Sequence, residues 1–217
     1  MRVQQRTVSR TVVDDVEVRV RRMCLRLAAD LQFHGWHHVE FVRDNAVRFA
    51  RRNGSDAAVV ETAALVHDVN YVVRRNSLPV DGRELRMDVL RRAGVEPATA
   101  EWIDEIVEEA EMRTRHRDIS AEAQALSDAD TLFKALPVTP VMLAPRYLAE
   151  NGLSLRELAT KIVGEQSGPH EQGFYFYDPE AAATYSRWAT ANLELWRCIV
   201  ESLDDPTVEN LLSVLPA

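Results

Sequence analysis

The sequence contains no apolar run close to the roughly 18 residues that a membrane-spanning helix needs, and its first segment lacks the apolar centre of a secretory signal. These absences predict a cytoplasmic protein that does not contact a membrane. Cysteine is scarce as well. Cys24 and Cys198 both lie within helix-like apolar patterns, which argues against a disulfide framework and favours reduced, buried thiols.

Positive charge is also in deficit, because the formal net charge is −8. A chain with this balance lacks the basic footprint of proteins that bind DNA or RNA through their phosphates, so small ligands are favoured over nucleic-acid polymers. Lysine is rarer still: Lys134 and Lys161 are the only two, beside many arginines. We attribute this skew to genome composition and draw no function from it.

Strict alternation of apolar and polar residues is scarce, whereas apolar residues recur at spacings of three and four, as in Val13, Val16 and Val20. This periodicity predicts an all-α fold. The length suits one domain, 1–217, with residues 1–12 as a tail, and no linker rich in Gly, Pro or Ser divides the chain. The predicted helices lie near 12–31, 38–52, 56–68, 82–93, 97–112, 120–135, 138–150, 153–166 and 179–203, with the longest irregular stretches at 69–81, 113–119 and 167–178.

Four short clusters contain all but one of the six histidines, and three of them also contain aspartate. They read FHGWHHVEFV at 33–42, AALVHDVNY at 63–71, TRHRD at 114–118 and LSDADTLFKA at 126–135. Imidazole together with carboxylate suits first-row divalent metals and leaves positions on the ion for water and substrate. The clusters therefore have the composition of a hydrolytic metal centre.

The predicted helices place these groups near one another. His38 stands at the first turn of a helix, His67 and Asp68 follow the apolar run AALV at the end of the next helix, and Asp130 belongs to a third. Adjacent side chains on a helix diverge by about 100°, so His67 and Asp68 reach one ion only near a helix end. Taken singly, each residue is more often an ordinary core or surface group; their order and spacing together favour a site.

The order H…HD…D resembles the HD superfamily of metal-dependent phosphohydrolases. Within it, the chain is similar to the bacterial predicted metal-dependent HD hydrolases, which show a YHxxxH-like opening, HDxxY, a downstream TxxH, a DADL-like element and an ARxNL-like helix. The corresponding segments here are FHGWHH, HDVNY, TRH, DADTL and ATANL, and the resemblance covers about residues 33–200. It implies an HD-type helical bundle with additional C-terminal helices.

The resemblance also implies roles. One divalent ion, which the sequence does not identify among Mn, Fe, Co, Ni, Mg and Zn, would be held by four ligands: His38, His67, Asp68 and Asp130. Asp68 would orient or deprotonate the attacking water, and His34 or His116 would protonate the leaving oxygen. The substrate would be a small phosphate ester, with a nucleotide as the first guess.

We expect the substrate phosphate to be bound by arginines near the loop that follows His67 and Asp68, the HD pair, because planar guanidinium groups bind phosphate well. They are Arg74, Arg75 and Arg86. The role of Tyr71 is open. Asp128 either orients a ligand or caps a helix, and Glu84 is the one match to an acidic pair of the family, so its role is open too.

Three alternatives stay open. A di-iron oxygenase of the HD fold would need additional histidines between the HD pair and the last aspartate, where only His116 occurs. A non-catalytic HD module that binds a metal or nucleotide would be marked by a missing ligand, yet all four positions are filled. The third is a structural bundle with coincidental motifs. The sequence does not fix the oligomeric state, and a homo-oligomer is among the options.

Overall fold

A computed structural model of the chain describes residues 7–111 and 118–214, and all regular structure in these ranges is helical. This confirms the predicted all-α class. None of the described helices combines the length and the apolar character that crossing a bilayer requires. The helices are α1 (Arg10–Arg26), α2 (Trp36–Asn53), α3 (Ala57–Val66), α4 (Asn70–Val73), α5 (Arg83–Arg92), α6 (Pro97–Glu109), α7 (Ala121–Ala135), α8 (Ala144–Asn151), α9 (Leu155–Glu171), α10 (Pro179–Ser202) and α11 (Pro206–Ser213).

The helix ends follow from local chemistry. Asp56 precedes α3 and accepts hydrogen bonds from the backbone N–H groups of Ala58 and Val59, which lack partners within the helix. Gly54 and Gly94, which the sequence predicts as helix stops, both adopt a left-handed backbone with φ of 80° and 84°. Glycine tolerates this conformation without the steric cost that a Cβ atom brings.

Helix α3 forms the centre of an extensive apolar cluster, which we call the main core. Its residues from Val59 to Val66 are almost all buried, and α1, α2, α6 and α7 pack around it. A helix that is apolar all round is stable only when other elements surround it. A second apolar cluster, which we call the small core, joins the segment before α2 to the C-terminal helices; it includes Phe33, Phe133, Tyr147, Leu158 and Trp196.

The stretch 69–81, predicted as irregular, contains α4 and most of a 3₁₀ turn at Pro79–Gly82. Two contacts hold it. The side-chain amide of Asn70 donates to the carbonyl oxygen and the hydroxyl of Ser77, and Gly82 packs against the Asn70 backbone so closely that a Cβ atom would lie 2.7 Å from Asn70 Cα. The chain directly after the HD pair is therefore packed into the fold.

The C-terminal half departs from the predicted boundaries. The single helix predicted at 138–150 is a π-helical turn at Thr139–Leu143 followed by α8, since Pro145 has no N–H to donate to Val141. Helix α9 runs on to Glu171, with Pro169 near its end, although the sequence places an irregular stretch from 167. Helix α11 has no counterpart in the sequence prediction.

Candidate metal centre

Three helices bring the predicted ligands to one place. His38 is the third residue of α2 and is fully buried, and His67 and Asp68 directly follow the last residue of the central helix α3. Asp130 lies in the second half of α7. The side chains of Asp68 and Asp130 are each 17% exposed, so the group is accessible from one side only.

The distances within this group have the size of a coordination sphere. His38 Nε2 lies 3.1 Å from His67 Nε2 and 2.8 Å from Asp68 Oδ2, and the third side, from His67 Nε2 to Asp68 Oδ2, measures 3.1 Å. Ligands about 2.1 Å from one ion and at right angles to each other lie about 3.0 Å apart. The three atoms therefore form a triangle that matches one face of an octahedron.

Asp130 stands just outside this triangle. Its Oδ1 lies 3.7 Å from His38 Nε2, and its Oδ2 accepts a hydrogen bond of 2.5 Å from Lys134 Nζ. Burial opposes ionisation of Asp130, but Lys134 outweighs it and holds the pKa of the carboxyl below its usual value. Asp130 is thus an anionic oxygen donor beside the triangle.

The two histidines direct Nε2 toward the triangle, and their Nδ1 atoms have different surroundings. His67 Nδ1 donates to the carbonyl oxygen of Ala64 at 2.7 Å, which leaves the lone pair of Nε2 for a metal. His38 Nδ1 is buried without a hydrogen-bond partner among the described residues. Burial lowers the pKa of His38 to about 4 although Asp68 acts in the opposite direction, so the ring is neutral at pH 7, the form that binds metals.

His34 lies outside helix α2, because Gly35 is the residue that precedes its first turn. Its ring centroid is nevertheless 5.7 Å from that of His38, and the ring stacks on Tyr71 at 3.4 Å. Its Nδ1 is bound to Glu150, whose other carboxylate oxygen accepts the backbone N–H groups of Phe33 at 2.7 Å and His34 at 3.0 Å. Glu150 therefore holds both the backbone and the ring of His34.

A cavity of about 160 Å³ opens beside the triangle. Its lining includes His34, His67, Asp68 and Asp130. Helices α9 and α10 of the C-terminal half also contribute to the lining, with Leu158, Ile162, Leu193 and Trp196. Both lysines of the chain, Lys134 and Lys161, line the same cavity.

The structure does not bring the three predicted phosphate-binding arginines to this cavity. Arg74 and Arg75 are exposed and pair with Asp81 and, at 3.8 Å, Asp30. Arg86 is fully buried and binds Asp104, because an interior guanidinium needs a carboxylate partner. Among the described residues, the cations on the cavity wall are the two lysines instead.

Asp128 does not cap its own helix, because it lies within α7, and its carboxylate binds the backbone of the segment before α10 instead. Its Oδ1 accepts from the backbone N–H of Tyr177 at 2.8 Å and its Oδ2 from that of Asp178 at 2.7 Å, just before α10 begins. Glu84 is exposed on α5 and does not line the cavity. Tyr71 contributes to the cavity wall and stacks on His34. His116 lies outside the described residues.

Comparison with known proteins supports the architecture. No family model matches the chain. The uncharacterized protein YpgQ of Bacillus subtilis (strain 168) is 34% identical over 103 residues, which are 46% of this chain and 50% of that protein, so the chain spans about half the length of this curated relative. The crystal structure of Bacillus subtilis YpgQ matches 87% of this chain and 98% of its own, with a TM-score of 0.54 and 19% identity. The chain shares the fold of YpgQ.

Sequence reasoning missed several residues of the site. Glu150 and Tyr147 lie more than 100 residues from His34 along the chain, and no local pattern marks them. The two lysines did carry a signal, because their rarity made both positions unusual. Both side chains reach one cavity, a placement that composition alone does not indicate.

Proposed function

We propose that this chain is a metal-dependent phosphohydrolase that acts on a small phosphate ester. The triangle of His38 Nε2, His67 Nε2 and Asp68 Oδ2 supports the proposal most directly, because its sides of 2.8 to 3.1 Å fit one divalent ion. Asp130 is placed to supply a further oxygen. Two nitrogen and two oxygen donors suit a first-row transition ion and leave positions on it for substrate.

A divalent ion bound here would act as a Lewis acid toward a phosphoryl oxygen and lower the pKa of a water molecule. The chain's own residues would do the rest. Asp68 contacts both histidines through Oδ2, so Oδ1 is available to orient the attacking water and take its proton. As the oxygen of the water bonds to phosphorus, the ester P–O bond breaks and the alcohol leaves.

His34 would protonate the leaving oxygen. Its Nδ1 is held by Glu150, so Nε2 is the nitrogen left for a ligand in the cavity that the ring lines. The products are an alcohol and inorganic phosphate, and the proton taken by Asp68 and the one given by His34 balance. Stacking on Tyr71 limits rotation of the imidazole and keeps it beside the metal ligands.

Adjacent histidines offer a matched test. His38→Ala removes a triangle nitrogen, whereas His37→Ala changes the exposed neighbour on the same turn of α2. We expect the purified His38 variant to lose bound metal, measured by mass spectrometry, and to lose hydrolysis of phenyl phosphate with Mn²⁺, Co²⁺, Ni²⁺ or Mg²⁺. The His37 variant should keep both, and chelator should abolish the activity of the wild type.

The same measurements reject the proposal if they go the other way. Hydrolysis that survives exhaustive chelation would exclude a metal-centred mechanism. Bound metal without turnover of any phosphate ester would favour the binding module. Two irons per chain would favour the oxygenase, and a chain that binds no metal would favour a structural bundle.

A further inference from the structure

Lys161 is unusual among the cations of this chain. Of 26 lysine and arginine residues only two are lysine, and Lys161 is one of the two that line the cavity. The other lysine, Lys134, forms an ion pair with Asp130 beside the metal triangle. Lys161 lies on α9, which contributes to the cavity lining, and is partly buried.

No carboxylate neutralises Lys161 within residues 7–111 and 118–214. Its Nζ donates to the hydroxyl of Tyr147 and lies 5.1 Å from the centre of that ring, so both contacts are to one neutral side chain. Two acidic residues stand one turn away on the same helix. Glu157 accepts the backbone N–H and the hydroxyl of Ser154, both at 2.7 Å. Glu165 lines the cavity but forms no ion pair with the lysine among the described residues.

Tyr147 connects this ammonium group to the catalytic end of the cavity. The ring centroid of Tyr147 is 5.8 Å from that of His34 and 5.1 Å from Lys161 Nζ. The ammonium nitrogen is therefore at most about 11 Å from the His34 ring, the sum of those two distances. A single small molecule can contact both groups.

Apolar side chains line the cavity together with Lys161. Leu158 and Trp196, which are 3% and 4% exposed, are among them, and the acidic Glu165 also belongs to the lining. Because no described carboxylate lies within ion-pair distance of the ammonium group, that group can attract an anion that enters the cavity. Lysine offers a compact point charge with three donors, suited to either a carboxylate or a phosphate oxygen.

From this placement we infer that Lys161 binds a second anionic group of the substrate, on the far side of the molecule from the phosphate that is cleaved. The substrate class is then a phosphate ester whose alcohol part has an apolar body and carries a carboxylate or another phosphate. This inference rests on the proposed function for the reaction itself. The anion site does not depend on turnover.

Three esters with the same ring test it kinetically: phenyl phosphate, 4-carboxyphenyl phosphate and 1,4-phenylene bisphosphate. Lys161→Met should raise the KM about tenfold or more for whichever two-anion ester the site accepts, because the variant loses one hydrogen bond to a charged group. The KM for phenyl phosphate should stay within about twofold of the wild-type value. Lys161→Arg keeps the charge and should recover part of the loss. Arg156→Met, on the exposed side of the same helix, is the control and should change nothing.

A binding measurement separates the anion site from the reaction. Reductive methylation with ¹³C-formaldehyde labels only two side chains, Lys134 and Lys161, and the Lys161→Arg variant assigns their NMR signals. Phenylphosphonate and 4-carboxyphenylphosphonate or 1,4-phenylenebisphosphonate bind without being cleaved. We expect the Lys161 signal to move with a two-anion phosphonate and to stay in place with phenylphosphonate.

Each outcome is decisive. If phenyl phosphate is hydrolysed but Lys161→Met leaves the three KM values unchanged, the inference is wrong and the proposed function stands. If no ester is hydrolysed but the Lys161 signal responds to a two-anion phosphonate alone, the anion site stands and the hydrolase proposal fails. If no phosphonate moves the signal, the anion site is wrong whatever the enzyme does. The two-anion ester that responds identifies the group as carboxylate or phosphate.

Discussion

Asp128 and Asp130 lie two residues apart on α7, and replacing them should produce opposite effects on stability and metal content. Asp128 is 1% exposed and accepts two backbone N–H groups at the start of α10. Asp130 faces the metal triangle. We expect Asp128→Ala to weaken the fold and keep the metal site, and Asp130→Ala to do the reverse.

The magnitude comes from the two orphaned donors. Each buried donor left without a partner costs about 1–3 kcal/mol, and because Tyr177 and Asp178 are only partly buried the lower half of that range applies. Asp128→Ala should therefore lower the free energy of unfolding by about 3 kcal/mol, which corresponds to a Tm decrease of about 6–12 °C for a chain of this length. Asp128→Asn should be nearly as damaging, because its single oxygen accepts only one of the two groups while its NH₂ faces the other.

The assay is thermal unfolding with and without metal, together with metal content. Asp130→Ala should lose less than about 1 kcal/mol in chelator, since it removes a partly exposed pair with Lys134. It should also lose the metal-dependent rise in Tm, about 2.7 kcal/mol of stabilisation when the ion is at 100 times its Kd. If Asp128→Asn unfolds at the wild-type temperature but loses metal, Asp128 orients a ligand and its assignment as the anchor of the segment before α10 is wrong.

Three more substitutions test other contacts of the site and the core. His67→Ala should remove bound metal while the helical circular dichroism stays at the wild-type level, and retention of full metal content would contradict the ligand assignment. Glu150→Ala should lower stability by about 3 kcal/mol at pH 7, because it leaves two backbone N–H groups unpaired. The pKa of Glu150 is held below its ordinary value of 4.5 by His34, against the effect of burial, so the difference between wild type and variant in urea unfolding should shrink as the pH falls below that value and persist above it. Asp104→Asn should destabilise the fold by about 3 kcal/mol in chemical denaturation by leaving the Arg86 charge buried and poorly paired, whereas Arg74→Met, at the surface, should have no measurable effect.

The sequence predicts those parts of the fold that depend on residues close together in the chain. Apolar spacing and helix stops such as Gly54 depend on neighbours along the chain, so most long helices were predicted within about three residues. The exceptions are α1, which ends at Arg26 and not at 31, and α9, which ends at Glu171 and not at 166. Helix α4 was missed because four residues are too few to show a period, and its position depends on Gly82 and Ser77. Helix α8 was merged with the π-helical turn before it because the apolar pattern continues across both.

Only some residues of the candidate site could be predicted from the sequence. His38, His67 and Asp68 sit at helix ends that an amphipathic pattern locates, and their order in the chain suggested that they meet. Glu150 reaches His34 across 116 positions, a distance that only tertiary packing resolves. Arg86 was misjudged because proximity in sequence to the HD pair says nothing about which way a helical side chain faces.

The division between the main core and the small core has an evolutionary consequence. His67 and Asp68 extend from the helix at the centre of the main core, whereas Lys161, Leu158 and Trp196 belong to helices packed on the small core. Substitutions on α9 and α10 can reshape one part of the cavity lining while the metal ligands keep their geometry. A lineage of such proteins can therefore exchange the molecules it accepts without rebuilding its reactive centre, and drift in 155–200 is where new selectivity would arise first.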